Sequence, residues 1–235
     1  MAEQPGASAA AALISRRSVC SGLAASLAAG AAGAATGFDA EVRKSGGTHR
    51  SLAAALADAP PGTRRYRILL GRGSWTEKLT VTRPNIELVG EDRQQSILIS
   101  AVAAGHEKSS GGKWGTFGSA TLTVEAPGFT LRNLTVENGF DYPEHVRSGA
   151  GEGAQAVALA LGNAADRTIV DGVTIIGHQD TLYLRAGRAL VRRSLIMGNV
   201  DFIFGGAAAL FEHCEIRSRP RRLSDGLPAR RRALR

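Results

Sequence analysis

Cysteine is nearly missing from this 235-residue chain, which has two, Cys20 and Cys214. Cys20 falls in an N-terminal leader, so Cys214 is alone in the remainder and an intramolecular disulfide is excluded. Aromatic residues make up 5 %, with two Trp and three Tyr. No stretch is apolar enough to read as a membrane span. The body also lacks net charge. The formal +8 comes from the ends, because residues 217–235 hold eight Arg against one Asp, and residues 1–37 hold Arg16, Arg17 and Glu3. Residues 38–216 are therefore neutral, and the basic balance is no signature of a nucleic-acid-binding body.

The leader, residues 1–37, reads as an export signal. Paired arginines in "SRRSVC" precede the mildly apolar, Ala/Gly-rich "SGLAASLAAGAAGAA". That order suits a twin-arginine or general secretory signal of a bacterial protein, periplasmic or secreted. Helical periodicity is scarce beyond it. "GTHRSLAAALADAPPG" (47–62) reads as one short amphipathic helix, placed to cap a sheet edge. Short β-type runs follow, split by Gly, Asn and Asp. "TIVDGVTIIG", "ALVRRSLIMG" and "LFEHCEIRS" share a pattern, with Ile169, Leu190 and Leu210 at similar places about 20 residues apart. A strand-rich repeat of this length predicts an all-β solenoid, a right-handed parallel β-helix, over 38–216. An ordinary sandwich would need hairpins that the sequence does not offer.

"GNVDFIFGG" (198–206) places Asp201 among Val200, Phe202, Ile203 and Phe204, a costly setting for an unpaired carboxylate. Twenty-one residues earlier "GHQDTLYL" carries Asp180. In a β-helix, residues one coil apart stack at about 4.8 Å, so Asp180 and Asp201 are predicted to meet. Gln155 and Gln179, 24 apart, join them. Two close carboxylates cannot both ionise cheaply, so one serves as nucleophile or base and the other as acid. The two carboxamides can stabilise an oxyanion. The apolar neighbours are expected to restrict Asp201 and its water, and His178 reads as a rim residue.

"QAVAL" (155–159), "GHQDTLY" (177–183) and "GNVDFIFG" (198–205), in that order and spacing, resemble the signature of pectin methylesterases. "GSWTEKLTV" (73–81) and "WGTFGSATLTV" (114–124) resemble earlier motifs of that family, with Trp75 where Tyr is usual. The resemblance covers roughly residues 40–217. It implies hydrolysis of polygalacturonate methyl esters by a monomer that needs no metal or cofactor. By motif, Asp201 resembles the nucleophile, Asp180 the acid and then the base, and Gln179 the oxyanion stabiliser. Gln155 and Thr116 resemble substrate contacts, and Tyr183 and Phe202 are candidate sugar-facing walls.

The resemblance breaks after residue 216. The family continues into a Gly-Arg-Pro-Trp-like motif whose Arg pairs with the catalytic aspartate, whereas residues 217–235 read as an aberrant or disordered Arg-rich tail. An Asp201 without that partner is expected to be a weaker nucleophile, and the last coil is expected to expose a strand edge. Rival readings are a polysaccharide lyase or glycosidase on the same fold, and a non-catalytic carbohydrate-binding solenoid.

Overall fold

The computed structural model describes residues 37–219 and the backbone of Arg231–Ala233. The export segment and most of the Arg-rich tail lie outside the described residues. From Gly37 onward the chain winds in coils of three short strands. β1 (Ala40–Val42) opens the solenoid and α1 (Leu52–Ala57) follows. The next coil is β2 (Tyr66–Leu70), β3 (Gly73–Thr76) and β4 (Leu79–Val81). Then come β5 (Ile86–Gly90), β6 (Ser96–Ser100) and, after α2 (Gly115–Gly118), β7 (Leu122–Val124). β8 (Thr130–Arg132) and β9 (Thr135–Asn138) lead through α3 (Tyr142–Arg147) to β10 (Leu159–Leu161). Above them lie β11 (Thr168–Asp171), β12 (Thr174–Ile176) and β13 (Leu182–Leu184), then β14 (Arg188–Arg192), β15 (Leu195–Gly198) and β16 (Ile203–Phe204). β17 (Ala208–Glu212), β18 (Glu215–Ser218) and β19 (Arg231–Ala233) complete the described strands.

Equivalent strands pair in parallel and build three sheets, β1-β2-β5-β8-β11-β14-β17, β3-β6-β9-β12-β15-β18-β19 and β4-β7-β10-β13-β16. This is the right-handed parallel β-helix that the repeats predict. Each sheet sends apolar columns inward. In the first, Leu88, Leu131, Val170 and Val191 lie in register. In the second the column is Trp75, Leu98, Val136, Ile175 and Ile196. In the third it is Leu79, Leu122, Leu159 and Leu182. All of these are buried, and this stacking of identical positions is what a solenoid substitutes for a globular core.

Ile169, Leu190 and Leu210 do stack in register, as their spacing predicts. They lie on the outer face, however, and Leu210 is 57 % exposed. With a period of two, the inward column is the neighbouring one. Between the first and second sheets the chain turns through a two-residue corner whose first member is left-handed. Asn133, Gly172, Arg193 and His213 occupy it, with φ of 53°, 66°, 49° and 52°.

The N-terminal helix is shorter than the 47–62 segment predicts. The backbone of His49 pairs with Glu41 and Arg43, which keeps the segment's start extended. Ser51 then caps α1 by accepting from Ala54 N at 3.2 Å, and the Glu77 carboxylate accepts from Leu52 N and Ala53 N. Those bonds satisfy amides that a helix leaves without partners. The boundary read at residue 216 falls inside β18, which includes Arg217 and Ser218. The edge of β18 carries β19 in antiparallel pairing, whereas β17 and β16 end their sheets among the described residues, as the expectation of an exposed strand edge has it.

Candidate active site

The site lies where the second sheet passes into the third. Residues 177–181 link β12 to β13, and residues 199–202 link β15 to β16. The two turns are copies one coil apart. β13 and β16 align Leu182 with Ile203 and Tyr183 with Phe204, and Asp180 N donates to Val200 O at 2.9 Å. Asp180 and Asp201 therefore hold equivalent positions on successive coils, about 4.8 Å apart along the axis.

Both aspartates are left-handed, at φ 64° and 44°. Such backbone is strained for a non-glycine residue and clusters at functional sites. Each turn is made possible by a glycine. A Cβ on Gly177 would collide with Thr181, and one on Gly198 with Phe202 and Thr181.

The two carboxyls differ in environment, in the opposite sense to the sequence reading. Asp201 is exposed, because β16 ends its sheet among the described residues and no further turn stacks on residues 199–202. Asp180 is the buried member, 7 % exposed. Burial, and then the negative charge of Asp201, push the Asp180 carboxyl up to about 6. A buried acid beside a carboxylate holds its proton because ionising it would place two like charges in a poorly solvated spot.

Gln179 and Gln155 are both half-buried. Gln179 O accepts from Ala156 N at 3.1 Å, and Gln155 O accepts from Ala104 N at 2.8 Å. β10 and β13 align Leu159 with Leu182, which sets Ala156 opposite Gln179 and Gln155 opposite His178. The 24-residue spacing thus overshoots this coil by one residue.

Two insertions wall the site on its N-terminal side, residues 101–121 and 139–158. Asn138, buried at their root, donates to Val102 O, Ser119 O and Val157 O and accepts from Phe140 N. Ser119 Oγ donates to Thr116 O at 2.7 Å and accepts from Val157 N at 3.0 Å. Thr116, in α2, is thereby tied to the segment that carries Gln155.

His178 is buried, not at the rim as its sequence context predicts. Its ring stacks on Tyr142, with centroids 5.4 Å apart, and its Nδ1 lies 3.4 Å from Asn199 Nδ2. Burial, then Arg219, lower its pKa to about 4, so the ring is neutral at pH 7. Asn199 Oδ1 is taken by Val200 N, which leaves Nδ2 as donor and Nδ1 as acceptor. The His178 carbonyl accepts from Asn199 N and Thr181 Oγ1. This residue locks the two aspartate turns together.

Tyr183 and Phe202 separate. Tyr183 stands on the outer face, stacked on Phe204 at 4.3 Å and edge-on to Phe117 at 5.9 Å. Phe202 turns back over Gly198 and packs against the apolar core. Phe204, not Phe202, is the aromatic partner of Tyr183 beside the site. The alternation in "FIF" against "TLY" held that signal, since Ile203 aligns with the inward Leu182. Arg219, read as part of the tail, was also missed. Its Nη1 donates to Gly177 O at 3.0 Å, and its backbone N donates to Gly198 O. Among the described residues no group of three His, Cys, Asp or Glu could hold a metal ion.

The arrangement can attack and protonate in one place. An exposed carboxylate sits one coil from a carboxyl that keeps its proton up to about pH 6, with Gln155 and Gln179 in the segments ahead of β10 and β13.

A family model described as Pectinesterase matches residues 39–226. Pectinesterase A of Dickeya dadantii is 41 % identical over 196 residues, which are 80 % of this chain and 54 % of that protein. The solved pectin methylesterase from Erwinia chrysanthemi is 41 % identical, with a TM-score of 0.73 over 77 % of this chain and 56 % of its own. A pectin methylesterase in complex with a hexasaccharide is 42 % identical, with a TM-score of 0.74 and the same coverage. The chain spans about half the length of the curated relatives it matches.

Proposed function

The chain belongs to the pectinesterase family, and from that premise we propose that it hydrolyses the methyl esters of polygalacturonate to free carboxylate and methanol. The observation that carries this reading is the register of Asp180 and Asp201, one buried with its pKa raised to about 6, the other exposed. In the reaction, the Asp201 carboxylate attacks the ester carbonyl carbon. The oxyanion of the tetrahedral intermediate takes hydrogen bonds from the carboxamides of Gln179 and Gln155. As the C–O bond to the methoxy group breaks, Asp180 gives its proton to the departing methanol. The resulting mixed anhydride between Asp201 and the uronate is attacked by water, and Asp180, now ionised, takes the water's proton. The uronic acid leaves and loses its proton to solvent, Asp201 is again a carboxylate, and Asp180 is again protonated.

Thr116, Tyr183 and Phe204 supply the adjoining surface for sugar rings. His178, buried and neutral, positions the turns and takes no part in proton transfer. Export of the protein rests on the Arg16-Arg17 leader.

The test is methanol release from highly methylated pectin. The parent chain is expected to release methanol, and Asp201→Ala to lose about a thousandfold or more. Equal rates for the two would refute the reaction. New reducing ends or unsaturated sugars in place of methanol would transfer the site to chain cleavage.

A further inference from the structure

Arg219 follows the last coil and folds back onto the site. β15 and β18 align Gly198 with Ser218, which sets Arg219 opposite Asn199. β12 and β15 align Ile176 with Met197, which sets Asn199 opposite His178. His178, Asn199 and Arg219 therefore form one column on three successive coils, and Gly177 and Gly198 open the two aspartate turns just before it. Arg219 holds both glycines. Its backbone N donates to Gly198 O at 2.6 Å, and its Nη1 donates to Gly177 O at 3.0 Å. The second bond passes the intervening coil, a span of two strand spacings or about 10 Å.

One hydrogen bond to a carbonyl does not by itself offset the desolvation of a half-buried guanidinium. Burial lowers the Arg219 pKa, and the charge of Glu137, level with Ile176 on β9, opposes that. The positive charge acts on His178. The charged groups facing that ring are Arg219, which disfavours a proton on it, and Asp141, the cap of α3, which favours one. Tyr142 stacks on the ring and Asn199 Nδ2 meets its Nδ1. Asp180 and Asp201 are the other titratable groups of the two turns. A protonated ring donates from both nitrogens, so it would repel the Asn199 amide that now donates to Nδ1. The same amide's Oδ1 accepts from Val200 N, and Val200 O accepts from Asp180 N. Arg219 is thus linked to both aspartates without meeting either.

We infer that Arg219 is a positioning residue for the proposed reaction, holding both aspartate turns from the next coil through Gly177, Gly198 and the His178–Asn199 contact. The inference rests on the pectinesterase reading for what the turns do, and adds to it a residue that touches no reacting atom. Removing a cation beside an imidazole raises the pH at which the ring takes a proton. Without the guanidinium, the turns therefore lose their geometry from the acid side and keep it above the imidazole range.

The experiment titrates the His178 ring by NMR in the parent chain, Arg219→Gln and Arg219→Lys, and measures methanol release by all three at pH 5 and pH 8. In Arg219→Gln the His178 midpoint is expected to rise from about 4 toward the ordinary 6.5. The Asn199 side-chain amide and the Val200 amide are expected to shift at that same midpoint. The kcat of this variant relative to the parent is expected to be about tenfold lower at pH 5 than at pH 8, with KM unchanged. Arg219→Lys keeps the charge, so its midpoint is expected to stay near 4 and its kcat to follow the parent's pH dependence. That rescue separates loss of charge from loss of fold. A His178 midpoint unmoved in Arg219→Gln, a kcat ratio equal at both pH values, or Arg219→Lys as impaired as Arg219→Gln would each overturn the inference. His178 is titrated without substrate, so a raised midpoint with its amide response, in a chain that releases no methanol, would refute the reaction and leave the hold on the turns standing.

Discussion

Asp180 and Asp201 share a backbone conformation and a register but not an environment. That difference makes a pair of identical side chains chemically unequal. Asp180 titrates near 6 instead of 3.8. A raised acid binds its proton more tightly folded than unfolded, so stability falls as pH rises from about 4 to about 6 and is flat above. Two pH units correspond to about 3 kcal/mol at about 1.4 kcal/mol per unit. Asp180→Asn is therefore expected to abolish turnover while raising stability at pH 7 by up to that amount. Urea unfolding at pH 4 and pH 7 checks it, and a variant no more stable than the parent at pH 7 would contradict it. At this scale the sequence showed which aspartates meet, because the 21-residue spacing equals the coil. It did not show which is buried. Exposure of Asp201 follows from the position of its turn on the last described coil, and burial of His178 from the stacking of Tyr142, neither of which has a spacing.

At the scale of elements, stacked strands carry charge as well as apolar columns. On the outer face of the first sheet Arg132, Asp171 and Arg192 lie in register. Asp171, nearly buried, accepts from Arg132, Arg192 and Arg193 at 2.5–3.0 Å. Burial alone would raise its carboxyl, but the hydrogen bonds and charges of Arg192 and Arg193 hold it below the usual range. A lowered acid contributes stability that is present above about 4 and lost as pH falls through its folded value. Asp171→Ala leaves three partly exposed guanidinium groups facing one another and is expected to cost about 2–4 kcal/mol. A drop in the urea midpoint at pH 7 that disappears in strong acid would support this, whereas a midpoint unchanged at pH 7 would contradict it. Strand positions were legible because β-branched and leucine runs recur. The length of α1 was not, because the extended pairing of His49 with β1 depends on a strand 7 residues away.

At the scale of the whole solenoid, the same regularity that aligns Leu79, Leu122, Leu159 and Leu182 aligns the turns above them. The site is therefore a property of the register. Shifting one coil by a single residue would turn Asp180 to the other face. Gln155 shows how tightly this is drawn, since its coil of 23 residues sets it opposite His178. The fold was readable from repeats, and so was an insertion after Asn138 as a gap in the repeat, but the folding of 101–121 and 139–158 was not, because it is held by single residues such as Asn138 and Ser119. The pairing of the two acids is tested most directly by carbon-13 NMR titration of the Asp180 carboxyl in the parent chain and in Asp201→Asn. The structure predicts a midpoint near 6 in the parent that moves down when the neighbouring charge is removed. A parent midpoint near 4, or one indifferent to the substitution, would contradict it.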